Sequence, residues 1–149
     1  MQILTNVKLV FEDIDTGKET VIEKHNVTCT VGMESVASRL AGGSTGLITY
    51  MGLGTGSVDG GNAPSAGDTT LNDELYRKQI STATVDSVEV TFRTFYNTSE
   101  AIGTLTEIGL FGDDATATVD TGTLFARVAF SKEKTDQETL TVDWAVTIS

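Results

Sequence analysis

Few residues in this chain have the types and spacing to do chemistry. "TEIGLFG", Thr106 to Gly112, sets the carboxylate of Glu107 beside Ile108, Leu110 and Phe111, where a strand is expected. A catalytic carboxylate needs a partner acid or base and a cleft. No second acid stands at a legible spacing from it. Arg77 in "ELYRKQ" and Arg127 in "LFARVAF" are the more economical partners, each within an apolar stretch of its own. A half-buried Glu–Arg pair fixes register more than it adds stability, because desolvation offsets most of the attraction. The expected role of Glu107 is a structural ion pair with Arg77 or Arg127. A solvent-facing carboxylate is the alternative, and catalysis comes third.

Other groups are weaker candidates. Gly52, Gly54 and Gly56 in "GLGTGS" invite a nucleotide reading. The third glycine of a dinucleotide fingerprint would fall at Ser57, no helix starts there, and no Gly-Lys-Ser/Thr follows. A tight strand exit is the expected role. His25 is the single histidine and lies in "EKHNV" without a nucleophile elbow, so a surface imidazole is expected. Asp113, Asp114 and Asp120 gather in one turn segment, with Asp59 and Asp68 in a long loop, but their spacing does not match a calcium loop. Cys29 is the only cysteine, which excludes an intrachain disulfide and a four-cysteine zinc site. A half-buried small residue is its expected role. Catalytic residues, cofactor-binding residues and a metal site are all expected to be absent.

Ten basic against twenty-one acidic residues give a formal charge of -11, which argues against a nucleic-acid partner. No apolar run is long enough for a membrane-spanning helix, so no membrane partner is expected. The first residues lack the basic start and apolar middle of a secretory signal. The expectation is a protein that works where it is made or leaves inside an assembly.

These residues must be positioned by mostly extended elements. Val7, Leu9 and Phe11 alternate, "DIDTGKE" supplies a turn, and Val21, Ile22, Val27, Cys29 and Val31 read as the return strand of a first hairpin. In "GMESVASRLAGG" the period changes: Met33, Val36, Ala37 and Leu40 share one helix face, and Gly42 and Gly43 stop it. Leu47 to Leu53 reads as a buried strand. A short helix is expected through "TTLNDELYRK", with Leu71 and Leu75 inward. Beyond Ile80 the pattern is all β. Val88, Val90, Phe92, Thr94 and Tyr96 share a face, as do Leu124, Ala126, Val128 and Phe130. Leu140, Val142, Trp144, Val146 and Ile148 give the cleanest alternation. The expected fold is mainly β, an antiparallel β-sandwich or barrel-like domain with one or two short helices, a single domain over residues 1–149.

One long irregular stretch interrupts it at 54–68, with the only proline. Loops of this length without structure are usually functional or disordered. Gly56, Ser57, Val58, Asp59, Gly60, Gly61, Asn62, Ala63, Pro64, Ser65 and Ala66 are the expected interface loop, too glycine-rich to pack on their own domain. The first hairpin, Val7 to Val31, is a second candidate surface.

The ordered set "TGKETVIEKHNVTCTVGMESVASRLAGG", "ITYMGLGTG", "DTTLNDELYRKQI", "LTEIGLFG", "GTLFARVAF" and "ETLTVDWAVTI" resembles a family of small virion structural proteins of tailed phages and related archaeal viruses, often labelled tail-fibre proteins. The likeness covers nearly the whole chain. It departs in the acidic balance and in the extended "SVDGGNAPSAGD" loop. The resemblance implies a non-enzymatic, oligomeric role in the virion, made in the host cytoplasm, with copies of itself and other virion proteins as partners. Its labels favour the tail, as a baseplate, neck or fibre-attachment module. Small size and the lack of a repetitive shaft favour head decoration, a capsid cement, as the alternative. A carbohydrate-binding or hydrolytic module is a remote third reading. The resemblance carries over no catalytic residues.

Overall fold

The computed structural model describes residues 2–43, 47–56, 63–112 and 114–149. Two five-stranded antiparallel sheets face each other as a β-sandwich. The first contains β1 (Ile3–Asp13), β2 (Glu19–His25), β6 (Thr82–Asp86), β7 (Glu89–Tyr96) and β10 (Glu138–Ile148), in the order β2-β1-β10-β7-β6. The second contains β3 (Val27–Thr28), β4 (Ile48–Gly54), β5 (Glu74–Gln79), β8 (Gly103–Gly112) and β9 (Thr123–Lys134), in the order β3-β9-β8-β4-β5. One helix, α1 (Thr30–Leu40), connects β3 to β4.

Period-two alternation builds the core. Val7, Leu9 and Phe11 on β1 stand opposite Trp144, Val142 and Leu140 on β10, and all six are fully buried. Phe92 and Tyr96 of β7 extend the rows beside Trp144 and Leu140. The second sheet answers with Met51, Leu53, Leu105, Ile108, Leu110, Ala126, Val128 and Phe130. Tyr96 reaches across and donates its hydroxyl to the Met51 carbonyl at 2.9 Å, joining the sheets through a buried polar contact. Trp144 faces inward, as the alternation of its strand requires, and Ile148 at the strand end is half exposed.

Four expectations need correction. No helix runs through "TTLNDELYRK": β5 occupies Glu74–Gln79 and pairs with β4, with Leu71 buried and Leu75 exposed. The four-residue spacing of the two leucines imitates a helical period, whereas the chain turns from a loop into an edge strand between them. The return strand does not continue to Val31: β2 ends at His25, β3 crosses to the second sheet to pair with β9, and Val31 enters α1. Leu124 leaves the face of Ala126, Val128 and Phe130, because an irregularity at Leu110/Phe111 shifts the β8–β9 register. It packs instead with Cys29, Leu71 and Phe111.

The fourth correction concerns α1, which forms and ends near Gly42, a glycine at φ 87°. Its inward face is not Met33, Val36, Ala37 and Leu40. Gly32 is its one buried residue, Val36 is half-buried against the core, and Leu40 is 75% exposed. A Cβ on Gly32 would lie 2.6 Å from the Phe125 Cα, so backbone contact with β9 sets the orientation of the helix. Hydrophobic periodicity does not record a contact made by the absence of a side chain.

Candidate functional site

The unusual chemistry lies on the outer face of the second sheet. Outward-facing positions of an antiparallel sheet are ordinarily polar and wet. Here Gly52 and Gly54 on β4 and Glu107, Gly109 and Phe111 on β8 form a covered surface instead. Residues 68–73, which lead into β5, lie across it as a strap, with Leu71 buried beside Phe111 and Leu124.

Glu107 fastens that strap. It is fully buried, and its carboxylate accepts the backbone N–H of Asn72 at 3.0 Å and of Asp73 at 2.8 Å. Arg127, from the neighbouring strand β9, donates Nε at 3.1 Å and Nη2 at 2.7 Å to the same carboxylate. Its Nη1 donates to Asp68 at 2.8 Å, so Arg127 holds Asp68 directly and, through Glu107, Asn72 and Asp73. Burial works against the charge on Arg127, but hydrogen bonds to Asp68 and Glu107 outweigh it and raise the pKa. Thr106 donates its hydroxyl to the Gly56 carbonyl alongside.

Arg77 is not part of this pair. It meets Glu74 through Nε at 2.6 Å and Nη2 at 2.7 Å, with both side chains fully buried. Positions three apart on a strand point to opposite faces, and a bulge removes the conflict: Gly54 pairs with Glu74 and Leu53 with Tyr76, leaving Leu75 extra. Arg77 also donates to the carbonyls of Thr116 at 3.1 Å and Thr121 at 2.8 Å, while Glu74 accepts the Asp120 N–H at 3.2 Å. The guanidinium lies 4.4 Å from the centre of the Phe111 ring, a cation–π distance. This second pair fastens the β8–β9 connection as the first fastens the strap.

The alternating glycines make room for both. A Cβ on Gly52 would stand 2.7 Å from Glu74 Oε2, and one on Gly54 2.6 Å from Glu107 Cγ. On Gly56 it would meet Asn72 Cβ at 2.6 Å. "GLGTG" is thus a smooth channel for carboxylates of this chain. The sequence held that signal, since glycines two apart in a strand strip one face of side chains.

The remaining candidates fall apart spatially. His25 is exposed at the end of β2. Asp114 accepts the Thr123 N–H, and Asp120 holds φ 61°, while Asp113 and Asp59 lie outside the described residues. Among the described residues no group of three or more His, Cys, Asp or Glu could hold a metal ion. Cys29 is fully buried beyond expectation. Burial, then the Asp68 carboxylate, push its thiol up to about 11 against the opposing pull of Arg127.

Of the expected interface loop, Ser57, Val58, Asp59, Gly60, Gly61 and Asn62 lie outside the described residues. Gly56 is buried, and Ala63, Ser65 and Ala66 are exposed. The premise that this loop cannot pack on its own domain fails for its second half. Ala66 accepts the Thr30 N–H at 2.7 Å, and Ser65 and Asp68 close a local turn that delivers Asp68 to Arg127.

The sequence reading missed Glu74, hidden by the expected helix, and Lys134. The latter is a fully buried lysine donating to the Asn97 carbonyl at 2.9 Å, its pKa lowered by burial against the pull of Glu138 and Glu100. The chain matches no family model, no curated protein and no solved structure.

Proposed function

We propose that this chain is a non-enzymatic structural subunit of a tailed-virus particle, an oligomeric module docked in the tail as part of a baseplate, neck or fibre attachment. The observation that carries its structural character is the commitment of buried charge to bracing. Glu107 and Glu74 each receive an arginine and backbone N–H groups, and each closes a loop onto a sheet. A carboxylate saturated in this way is a fastener. The ordered sequence segments resembling small virion proteins support the particle and the tail. The compact sandwich supports the competing position on the head surface.

Mass spectrometry of purified particles from a virus encoding this chain tests the reading. The expected result is stoichiometric incorporation at about three, six or twelve copies, the counts of cyclic tail symmetry. Hundreds of copies would move it to the head. Its absence from the particles, or turnover of a sugar substrate that stops with Glu107→Gln while the fold survives, would overturn the proposal.

A further inference from the structure

Soluble proteins usually guard sheet edges with charges, proline, bulges or brevity. Three edges here are guarded. β2 carries Glu19, Glu23 and Lys24, β3 is two residues long, and β5 carries Lys78 and a bulge in its pairing. The fourth edge, β6, reads Thr-Ala-Thr-Val-Asp, pairs with β7 without a register break, and is exposed at all five residues. Among the described residues nothing pairs with its outer side.

The hydrogen-bond polarity of that edge follows from the pairing of β7. Ile148 donates its N–H to the Val88 carbonyl. Backbone groups alternate along a strand, so the even-numbered residues of β7 face β10 and Glu89, Thr91 and Arg93 face β6. Their partners Asp86, Thr84 and Thr82 bond inward. The N–H and C=O groups of Ala83 and Val85 therefore point away from the sheet.

We propose that β6 pairs antiparallel with β6 of a second copy, about a twofold axis at Thr84. Ala83 of each copy then exchanges hydrogen bonds with Val85 of the other. Thr84 faces its counterpart, and Asp86 faces Thr82. Charge selects this register. Each copy carries -11, and the one carboxylate of β6 is set opposite a hydroxyl. Moving the axis to Asp86 would oppose the two Asp86 carboxylates, a destabilising pair, and moving it to Val85 would take Asp86 away from Thr82 and its β7 neighbour Arg93. Ala83 and Val85 also border a cleft of about 390 Å³ lined by uncharged residues, including Val36, Leu47, Val90 and Phe125. Pairing lays two such clefts side by side. The contact closes at two, because it uses both free edges. The inference rests on the reading of the chain as one that binds copies of itself, and needs nothing from the particle.

Sedimentation of the whole chain from about 5 to 200 µM should show a monomer–dimer equilibrium that shifts toward dimer as salt screens the net charge. A monomer throughout, or a dimer that salt dissolves, overturns the proposal. In a Cys29→Ala background, Thr84→Cys should form an intermolecular disulfide on mild oxidation, since directly opposed residues at such a position lie about 4.5 Å apart at Cα. Thr82→Cys should form little, and equal cross-linking of the two overturns the register. Ala83→Pro removes an N–H that the monomer does not use, so the melting temperature of dilute protein should hold while dimer affinity falls roughly tenfold or more. A dimer that persists in Ala83→Pro overturns the edge assignment. If that variant unfolds, the cysteine pair decides alone. Failure here leaves the particle assignment to its own mass-spectrometric test.

Discussion

Glu107 and Arg93 mark two extremes of what one charged side chain does in this protein. Glu107 is fully buried and holds Arg127, Asn72 and Asp73, whereas Arg93 meets Asp143 with a side chain more than half exposed. Removing one member of a buried pair strands its partner, at about 3–5 kcal/mol. An exposed pair contributes about 0–1 kcal/mol. Glu107→Ala is therefore expected to lose about 3 kcal/mol in urea unfolding, the lower end because Asp68 still faces Arg127, while Arg93→Ala loses under about 1 kcal/mol. Cys29, with its thiol near 11, should resist alkylation at about pH 8 in the folded protein and react at once in denaturant. Acid adds a third expectation. Burial pushes the carboxyls of Glu100 and Glu138 up, but hydrogen bonds from Lys78 and Lys132, helped by backbone N–H groups, leave both below the ordinary 4.5. A depressed folded pKa contributes stability that is present above the unfolded value and lost as pH falls through the folded one. Unfolding free energy should hold from about pH 7 to 5 and fall below about 4.5, and a Lys78→Met, Lys132→Met variant should flatten that acid limb.

The elements depend on close backbone approaches as much as on apolar faces. Gly32 is the contact between α1 and β9, and an added methyl would meet the Phe125 backbone. Gly32→Ala should cost about 1–3 kcal/mol by overpacking, despite alanine's better helix propensity, with α1 losing amide protection before the sheets. Trp144→Ala tests the opposite face of the same physics, a fully buried side chain on the central strand, and should cost about 3–5 kcal/mol in the same unfolding assay. The strands were legible because burial on one side writes itself as alternation, and β10 is the clearest instance. The buried carboxylate at Glu107 was legible because its neighbours are apolar. Its companion Glu74 was not, since a bulge placed it and local spacing in "TTLNDELYRK" imitated a helix. The face of α1 was illegible because glycine, the residue that docks it, has no side chain for a hydrophobic pattern to count.

At the scale of the whole molecule the net charge of -11 works against compaction. Long-range repulsion among exposed carboxylates is screened over about 10 Å at 0.1 M salt, while the two buried pairs are screened far less. The melting temperature is therefore expected to rise as sodium chloride is added from about 10 mM to 500 mM. A fall would mean that the exposed pairs, such as Arg93–Asp143, outweigh the repulsion.

The first and last strands pair with each other, Ile3 beside Ile148 and Asp13 beside Glu138. The start of β1 and the end of β10 therefore lie at the same end of that ladder. Tension applied between them would peel β1 from β10 one rung at a time, as a zipper opens, and would never load the rungs together in shear. Such a module is mechanically soft along its own chain. In an assembly of the kind proposed, force would have to travel through the faces and edges of the subunits, where many contacts would share it.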